Sequence, residues 1–245
     1  MVKILLTGSS GRLGSELKKL YPKAICPTVD DMDIIFDNEV ADYIRDKKPD
    51  IIIHCAANTD VSMCEREPFG AYLVNSLGTY WLSQETEFVN TKLVYISTDH
   101  VFDGEKGYYK ETDTPNPTTV YGKSKLMGEW FTLANPKNLV IRTSFMKDFP
   151  FEKAYTDKFF NAEKVEVIAK MIKQAIDMNL TGLYHIAGRP KNVFYLAQKL
   201  NPKVKPMKLN DRPCNDAGLK YLKDTTMDIR KWENAKRTYR RKHKL

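Results

Sequence analysis

The stretch from Lys3 to Gly14, KILLTGSSGRLG, constrains the fold of this chain more than any other. A short apolar run ended by glycine reads as a buried parallel strand. Helical spacing then begins, with Leu13, Leu17 and Leu20 on one face. Strand, glycine loop and helix follow one another without a spare residue. Gly8 and Gly11 permit a tight turn and a close approach of backbone to phosphate. Gly14 lets the helix pack against the strand, and the helix N-terminus offers free N–H groups to a pyrophosphate. The spacing is G-x-x-G-x-x-G rather than G-x-G-x-x-G, so its position after the first strand carries much of the weight. A plain strand–helix turn does not need three glycines. Ser10, Arg12 and Leu13 join Gly8, Gly11 and Gly14 as candidate cofactor contacts.

Further strands and helices alternate through about residue 145. Ala24 to Thr28 reads as a second strand, followed by Asp30, Asp31 and Asp33 where a dinucleotide fold addresses the adenosine half. Asp33 and Ile34 are candidate contacts there. No arginine follows that strand to grip a 2′-phosphate; Arg12 is the alternative, or else a solvated loop cation, so NADP(H) versus NAD(H) stays open. Asp37 to Lys47 is an acidic-then-basic helix that suits the macrodipole. The third strand, Ile51 to Cys55, ends in small residues that let a flat cofactor lie on the backbone: Cys55, Ala56, Ala57 and Thr59. His54, inside that strand, reads as a packing residue. A long helix from Phe69 to Val89 carries Asn75 among apolar neighbours, and a buried asparagine needs partners.

Leu93 to Ser97 is a strand that delivers Ser97, Thr98 and Asp99 to its carboxyl end, with Val101 just beyond. After a turn-rich loop with Pro115 and Pro117, a helix carries Tyr121 and Lys125, four residues apart and so on one face. A free phenol has a pKa of about 10, and a cation one turn away lowers it. Tyr-x-x-x-Lys alone is common on exposed helix faces; the glycine loop earlier in the chain makes it specific. A hydroxyl, a phenol and a lysine at strand ends form a proton-delivery set. Asn138 to Thr143 is the fifth strand, with Ser144 at its end. The pattern predicts an α/β fold, a doubly wound, mostly parallel Rossmann sheet, with ligands at the carboxyl ends of the strands.

Beyond Thr143 the signal weakens. Glu163 to Met178 and Asn192 to Leu200 read as helices, Leu183 to Ala187 as a short strand, Lys203 to Asp228 as loop-rich, and a last helix starts near Asp228. Residues 1–145 are expected to form the dinucleotide-binding domain. Residues 146–245 are expected to form a small substrate cap, with elements returning to the first domain and a basic tail.

The bulk properties fit. Hydrophobic residues are 42% and charged residues 29%, ordinary for a globular chain. No apolar run approaches the ~18 residues that span a bilayer, and no secretory signal opens the chain. A cytoplasmic location is expected. Cys26, Cys55, Cys64 and Cys214 are scattered without metal-site spacing, so reduced thiols and no metal are expected. From Arg230 to Leu245 there are eight Lys or Arg and one Glu, which leaves little of the net charge of +8 for the rest of the chain. That tail reads as a solvated, partly disordered terminus, and no nucleic-acid partner is expected.

Taken together, the sequence resembles extended short-chain dehydrogenases/reductases, and within them the dTDP-4-dehydrorhamnose reductases. The resemblance rests on TGSSGRLG, MDI at Met32–Ile34, HCAANTDVSMCEREP at His54–Pro68 and YISTDHVFDG. It also rests on the E-x-D-x-P-x-P-x-x-x-YGKSKLMGE block and on RTSF at Arg142–Phe145. It is close over residues 1–145 and fainter through DKFFNAEKVEVIA, LYHIAG and DRP. It implies a nicotinamide cofactor that gives hydride to the C4 ketone of a nucleotide-linked 4-keto-6-deoxy sugar. Tyr121 would supply the proton, Lys125 would lower its pKa and hold the nicotinamide ribose, and Thr98 would bind the reacting oxygen. Asn75, Asp99, Val101 and Ser144 would contact the substrate. From the residues alone, Arg189, Lys191 and Arg212 are candidate pyrophosphate contacts or else surface charge. A monomer or homodimer is expected.

Two departures stand out: Phe145 where the family usually has Trp, and a separation of only 15 positions from Arg142 to Asp157, where members typically carry a longer insert with a helix. Epimerisation or dehydration of a nucleotide sugar, or a non-catalytic regulatory role like that of the methionine adenosyltransferase beta subunit, are the alternatives.

Overall fold

A computed structural model describes residues 2–212, 214 and 218–243. Five strands form one parallel sheet: β1 (Ile4–Thr7), β2 (Ile51–His54), β3 (Lys92–Thr98), β4 (Leu139–Thr143) and, far along the chain, β9 (Gly182–His185). Their order in space is their order in sequence. Leu5, Ile52 and Leu93 stand side by side in register, and so do Leu6, Ile53 and Val94 on the opposite face. Side chains alternate along each strand, so both faces of the sheet are apolar and both must be covered.

Helices supply that cover. On one side α2 (Asp37–Lys47) and α5 (Gly78–Phe88) close a core of Leu5, Ile52, Leu93, Val40, Ile44 and Leu82. On the other, α1 (Arg12–Leu20) and α7 (Val165–Asp177) pack over Leu6, Ile53, Val94 and Ile141. Helix α6 (Val120–Leu133) lies against β3 and β4. It sits close because Gly128 has no side chain: a Cβ there would come within 2.3 Å of the Tyr95 hydroxyl oxygen.

The region after Thr143 is built from short pieces. Strands β5 (Phe145–Met146) and β8 (Glu163–Lys164) pair, as do β6 (Lys153–Tyr155) with β11 (Lys205–Met207), and β7 (Phe159–Phe160) with β10 (Lys191–Asn192). With α8 (Val193–Leu200) they enclose a separate small core of Ala154, Phe160, Val193, Leu196 and Val204. Past the end of β4, the stretch from Arg142 to Asp157 holds two short strands and no helix.

Three expectations need correction. Ala24 to Thr28 does not form a strand. Ile25 alone bridges to β1, its N–H donating to the Ile4 carbonyl at 2.8 Å. Pro27, with no N–H, cannot extend the ladder. The Phe69–Val89 helix is preceded by α3 (Val61–Arg66) and is interrupted: α4 (Pro68–Tyr72) runs into a π-turn, Leu73–Leu77, before α5. The basic tail is helical as far as described, forming α9 (Arg230–His243). Fully buried Trp232 anchors it in the main core, and the cations of its last turn sit at the negative end of the helix. Pro213 of the loop-rich stretch, and Lys244 and Leu245 of the tail, lie outside the described residues.

Candidate active site

The glycine loop has the geometry its sequence suggests. Gly8 has a φ of +66°, and a Cβ on it would lie 2.5 Å from the Ala56 nitrogen. Only glycine serves there, because the loop presses on the backbone just past β2. A Cβ on Gly14 would lie 2.1 Å from the Gly8 carbonyl oxygen, so α1 begins directly on the turn. No side chain caps α1 and its first turn holds no acid, which leaves its N–H groups suited to an anion. Ser10 and Arg12 are exposed at this helix start. Leu13 offers backbone alone, since its side chain is buried in the core.

Along the rim, Cys55, Ala56 and Ala57 are half-buried and Thr59 is exposed. Burial pushes the Cys55 thiol up to about 12, so it is an inert lining group. His54 is held between the Thr7 hydroxyl (2.7 Å) and the Thr79 hydroxyl (3.1 Å), and burial drives its pKa to about 3. It is a neutral packing residue, as read. Asp33 accepts the Ile35 N–H at 3.2 Å. Asp31 accepts both the N–H and the hydroxyl of Thr28, closing a turn. Ile34 packs its side chain on Gly78 inside the core, so it offers a ligand backbone alone.

The end of β3 meets the start of α6. Thr119 caps α6 through the Gly122 N–H, and a Cβ on Gly122 would lie 2.2 Å from the His100 carbonyl. That close approach brings the Tyr121 phenol beside the Thr98 hydroxyl, which acts to lower its pKa. The Thr98 hydroxyl also donates to Asp99 at 3.2 Å, and the Thr225 hydroxyl donates to the other Asp99 oxygen at 2.7 Å. The His100 ring stands edge-on to Tyr121, with centroids 5.6 Å apart.

The electrostatics differ from the simple expectation. Burial raises the Tyr121 pKa; the Thr98 hydrogen bond opposes this and the Asp99 charge adds to it. Lys125 is not among the groups that move it, because its ammonium lies over the Tyr95 ring, 4.1 Å from the centroid. The expected lowering of Tyr121 by Lys125 is therefore overturned by desolvation. Burial also pulls Lys125 down to about 7, with Cys55 and Glu129 opposing.

Other candidates are structural. Ser97 donates to Glu129 at 2.5 Å, and Glu129 takes both Arg142 contacts, at 2.8 and 2.7 Å, in a fully buried fork. Asn75, expected at the substrate, is fully buried. It accepts the Asn58 N–H (2.8 Å) and donates to the Asn58 carbonyl (2.9 Å) and the Ser124 hydroxyl (3.0 Å). The π-turn aims it at the loop after β2, which it clamps. Val101, also expected at the substrate, has no exposed surface and belongs to the core beneath the loop.

A cavity of about 940 Å³ opens between the strand ends and the small region after Thr143. Asp99, His100, Ser144, Lys158 and Thr225 supply its polar wall; Phe145, Met146, Phe149 and Tyr155 are among its apolar residues. Its size suits a drug-sized or nucleotide-sized ligand. Of the candidate pyrophosphate contacts, Arg212 lines this cavity. Arg189 is exposed, and Lys191 is tied to Glu163 (3.2 Å) and the Ala162 carbonyl (2.7 Å). Glu129, His100, Lys158 and Thr225 escaped the sequence reading. Glu129 lies one turn past Lys125 in the same motif, which was its available signal; Lys158 and Thr225 have none.

Among the described residues, no group of three His, Cys, Asp or Glu could hold a metal ion, and no helix is long and apolar enough to cross a membrane. The chain is 40% identical over 152 residues to a dTDP-4-dehydrorhamnose reductase of Aggregatibacter actinomycetemcomitans, a match that covers 59% of this chain and 52% of that one. It is 33% identical over 144 residues to methionine adenosyltransferase 2 subunit beta of Bos taurus, covering 54% and 43%. The chain thus spans about half the length of the curated relatives it matches. In structure it is similar to a dTDP-4-dehydrorhamnose reductase from Bacillus anthracis in complex with NADP, with a TM-score of 0.84 and 26% identity over 98% of this chain and 99% of that one. The family described as RmlD substrate binding domain matches residues 2–149. Since that single match takes in the glycine loop, Thr98, Tyr121 and Lys125 together, this chain belongs to the RmlD substrate binding domain family.

Proposed function

We propose that this chain reduces the C4 ketone of a nucleotide-linked 4-keto-6-deoxy sugar, with NADPH or NADH as the reductant. The observation that carries this reading is the Tyr121 phenol, buried beside the Thr98 hydroxyl at the carboxyl end of β3 and packed on His100, which with Asp99 forms part of the cavity wall. The relatives named as dTDP-4-dehydrorhamnose reductases, one of them in complex with NADP, support it.

The glycine loop fits a dinucleotide because the turn at Gly8 has no room for a side chain and the α1 N–H groups are uncapped. A nicotinamide dinucleotide, when bound there, supplies the hydride. The chain's own groups manage the proton. Burial keeps Tyr121 protonated at neutral pH, the form a donor must have, and the phenol passes its proton to the oxygen as negative charge builds on it. The Thr98 hydroxyl stabilises the phenolate that remains. Lys125, with a pKa near 7, supplies a charge that Glu129 helps to retain. The cavity supplies the apolar and polar walls that hold the nucleotide and sugar.

Mixing the protein with dTDP-4-dehydrorhamnose and NADPH or NADH, and following loss of reduced-cofactor absorbance, tests this. Turnover is expected, and Tyr121→Phe should lower it by about 10²–10⁴-fold. A second reading, a non-catalytic regulatory subunit, is favoured by the relatives named methionine adenosyltransferase 2 subunit beta. Tight cofactor binding with no turnover on any 4-keto sugar nucleotide would select it.

A further inference from the structure

The proton donor at Tyr121 is not the only titratable group beside the cavity. A second set, unused by ketone reduction, lines it. Asp99 and His100 come from the short turn after β3, and Lys158 comes from the segment leading into β7. The Lys158 ammonium lies 4.7 Å from the centre of the Tyr221 ring, which fixes the end of a long side chain on the wall. His100 sits edge-on to Tyr121, and its Nδ1 is buried with no hydrogen-bond partner. Thr225 and Thr98 hold the Asp99 carboxylate from both sides. A second group of titratable side chains thus lines the cavity, joined to Tyr121 through Asp99 and His100.

We propose that Lys158 removes the proton from the carbon next to the substrate's carbonyl, so that this chain catalyses proton exchange at that carbon without any oxidation or reduction. The inference rests on a keto sugar occupying the cavity. A carbonyl acidifies the adjacent C–H bond, so the only further need is a neutral base and a donor for the oxygen. The C–H bond breaks and its electron pair forms the carbon–carbon double bond of an enolate, while the carbonyl π pair moves to oxygen. The proton goes to the Lys158 amine, which becomes an ammonium. The Tyr121 hydroxyl, the donor assigned above to the carbonyl oxygen, stabilises the enolate. In the return step the ammonium gives a proton back to the same carbon and the carbonyl re-forms. Atoms and electrons balance with no co-reactant.

The surroundings suit a lysine base. Burial pulls Lys158 to about 8, against the favourable field of Asp99, so roughly one molecule in ten carries the free amine at pH 7. Asp99 and His100 from the turn and Tyr221 across the wall stand nearest it, and Glu152, Lys153, Tyr155, Asp211 and Arg212 line the same cavity. His100 is kept neutral by burial and by Lys158 itself, with Asp99 opposing, so it adds no competing positive charge at neutral pH.

The test follows dTDP-4-dehydrorhamnose in deuterium oxide, with oxidised nicotinamide dinucleotide filling the cofactor site, by proton NMR and mass spectrometry. Deuterium should enter at the carbons flanking C4 at least about tenfold faster than without protein, at a rate that rises with pH and levels above about pH 8. Lys158→Met should bring exchange to the uncatalysed rate. Lys158→Arg, which keeps the charge but cannot lose its proton, should not restore it. If Lys158→Arg exchanges like the unaltered protein, the lysine acts only as a charge and the proposal is overturned. It is overturned too if the unaltered protein shows no exchange while the same preparation reduces the sugar with NADPH. If neither exchange nor reduction occurs, the keto-sugar reading and this inference fall together.

Discussion

Leu5, Ile52 and Leu93 lie side by side across three parallel strands and are fully buried, each inner strand hydrogen-bonded on both sides. After Thr143, apart from β9, the strands are two or three residues long and each pairs with one partner. The contrast separates two tasks. The sheet half has a continuous core and buried polar groups that find partners, such as Glu129 with Arg142 and Asn75 with Asn58, so it fixes the turn at Gly8 and the contact between Thr98 and Tyr121. The later region has a small core of its own and forms much of the cavity wall. Regions with fewer backbone ladders open more easily, which suits a wall that must admit a ligand.

Five changes would break or sharpen that contrast. The largest effect should come from Glu129→Ala, which leaves Arg142 as an unpaired buried charge and frees Ser97. A loss of about 3–5 kcal/mol in denaturant unfolding is expected, and a loss below about 1 would mean the fork does not hold the sheet half together. Next, Ile53→Ala in the sheet should cost about 3 kcal/mol of global stability. Leu196→Ala in the small core should cost about 2 and show mainly as faster amide exchange within residues 153–207. Equal slowing or quickening throughout the chain would merge the two regions into one cooperative unit.

Lys125→Met should act in the opposite sense. The folded pKa of about 7 lies below the ordinary lysine value of 10.5, so the folded state binds fewer protons between those pH values and stability rises with pH across that window. The penalty is fully present below pH 7. Removing the amine should therefore raise the melting temperature more at pH 6 than at pH 10, by the equivalent of about 2 kcal/mol at the lower pH, while turnover falls. Unchanged melting at pH 6 would mean that the Tyr95 ring already compensates the buried charge. The smallest effect is expected from Arg12→Ala. It should raise the KM for NADPH by about fivefold and leave that for NADH unmoved, if this exposed cation meets the 2′-phosphate.

How far the sequence could be read follows the same division. The glycine loop, the strand before Thr98 and the Tyr121 helix were legible because each rests on local rules: an apolar run, glycines at fixed spacing, a four-residue interval. The failures are tertiary. Ile25 makes a single bridge where a strand was expected, because Pro27 ends the ladder. Asn75, polar among apolar residues, was expected to need partners, backbone near the site among them; which backbone it meets, that of Asn58 17 residues away, is settled only by the π-turn. The pKa of Tyr121 was expected to fall because Lys125 is one turn away. In the fold, burial dominates and the ammonium goes to Tyr95. Lys158, Thr225 and Asp99 converge from three separate stretches, and no periodicity in any of them announces it.

The central claim is that hydride reaches the sugar carbonyl while Tyr121 supplies the proton. Supplying dTDP-4-dehydrorhamnose with NADPH deuterated at the transferring position of its nicotinamide, and locating the label in the sugar, tests this most directly. The account predicts one deuterium at C4 of the product, formed about 10²–10⁴-fold more slowly when Tyr121 is replaced by Phe. A reduced cofactor that binds and keeps its label in the presence of the sugar would contradict it.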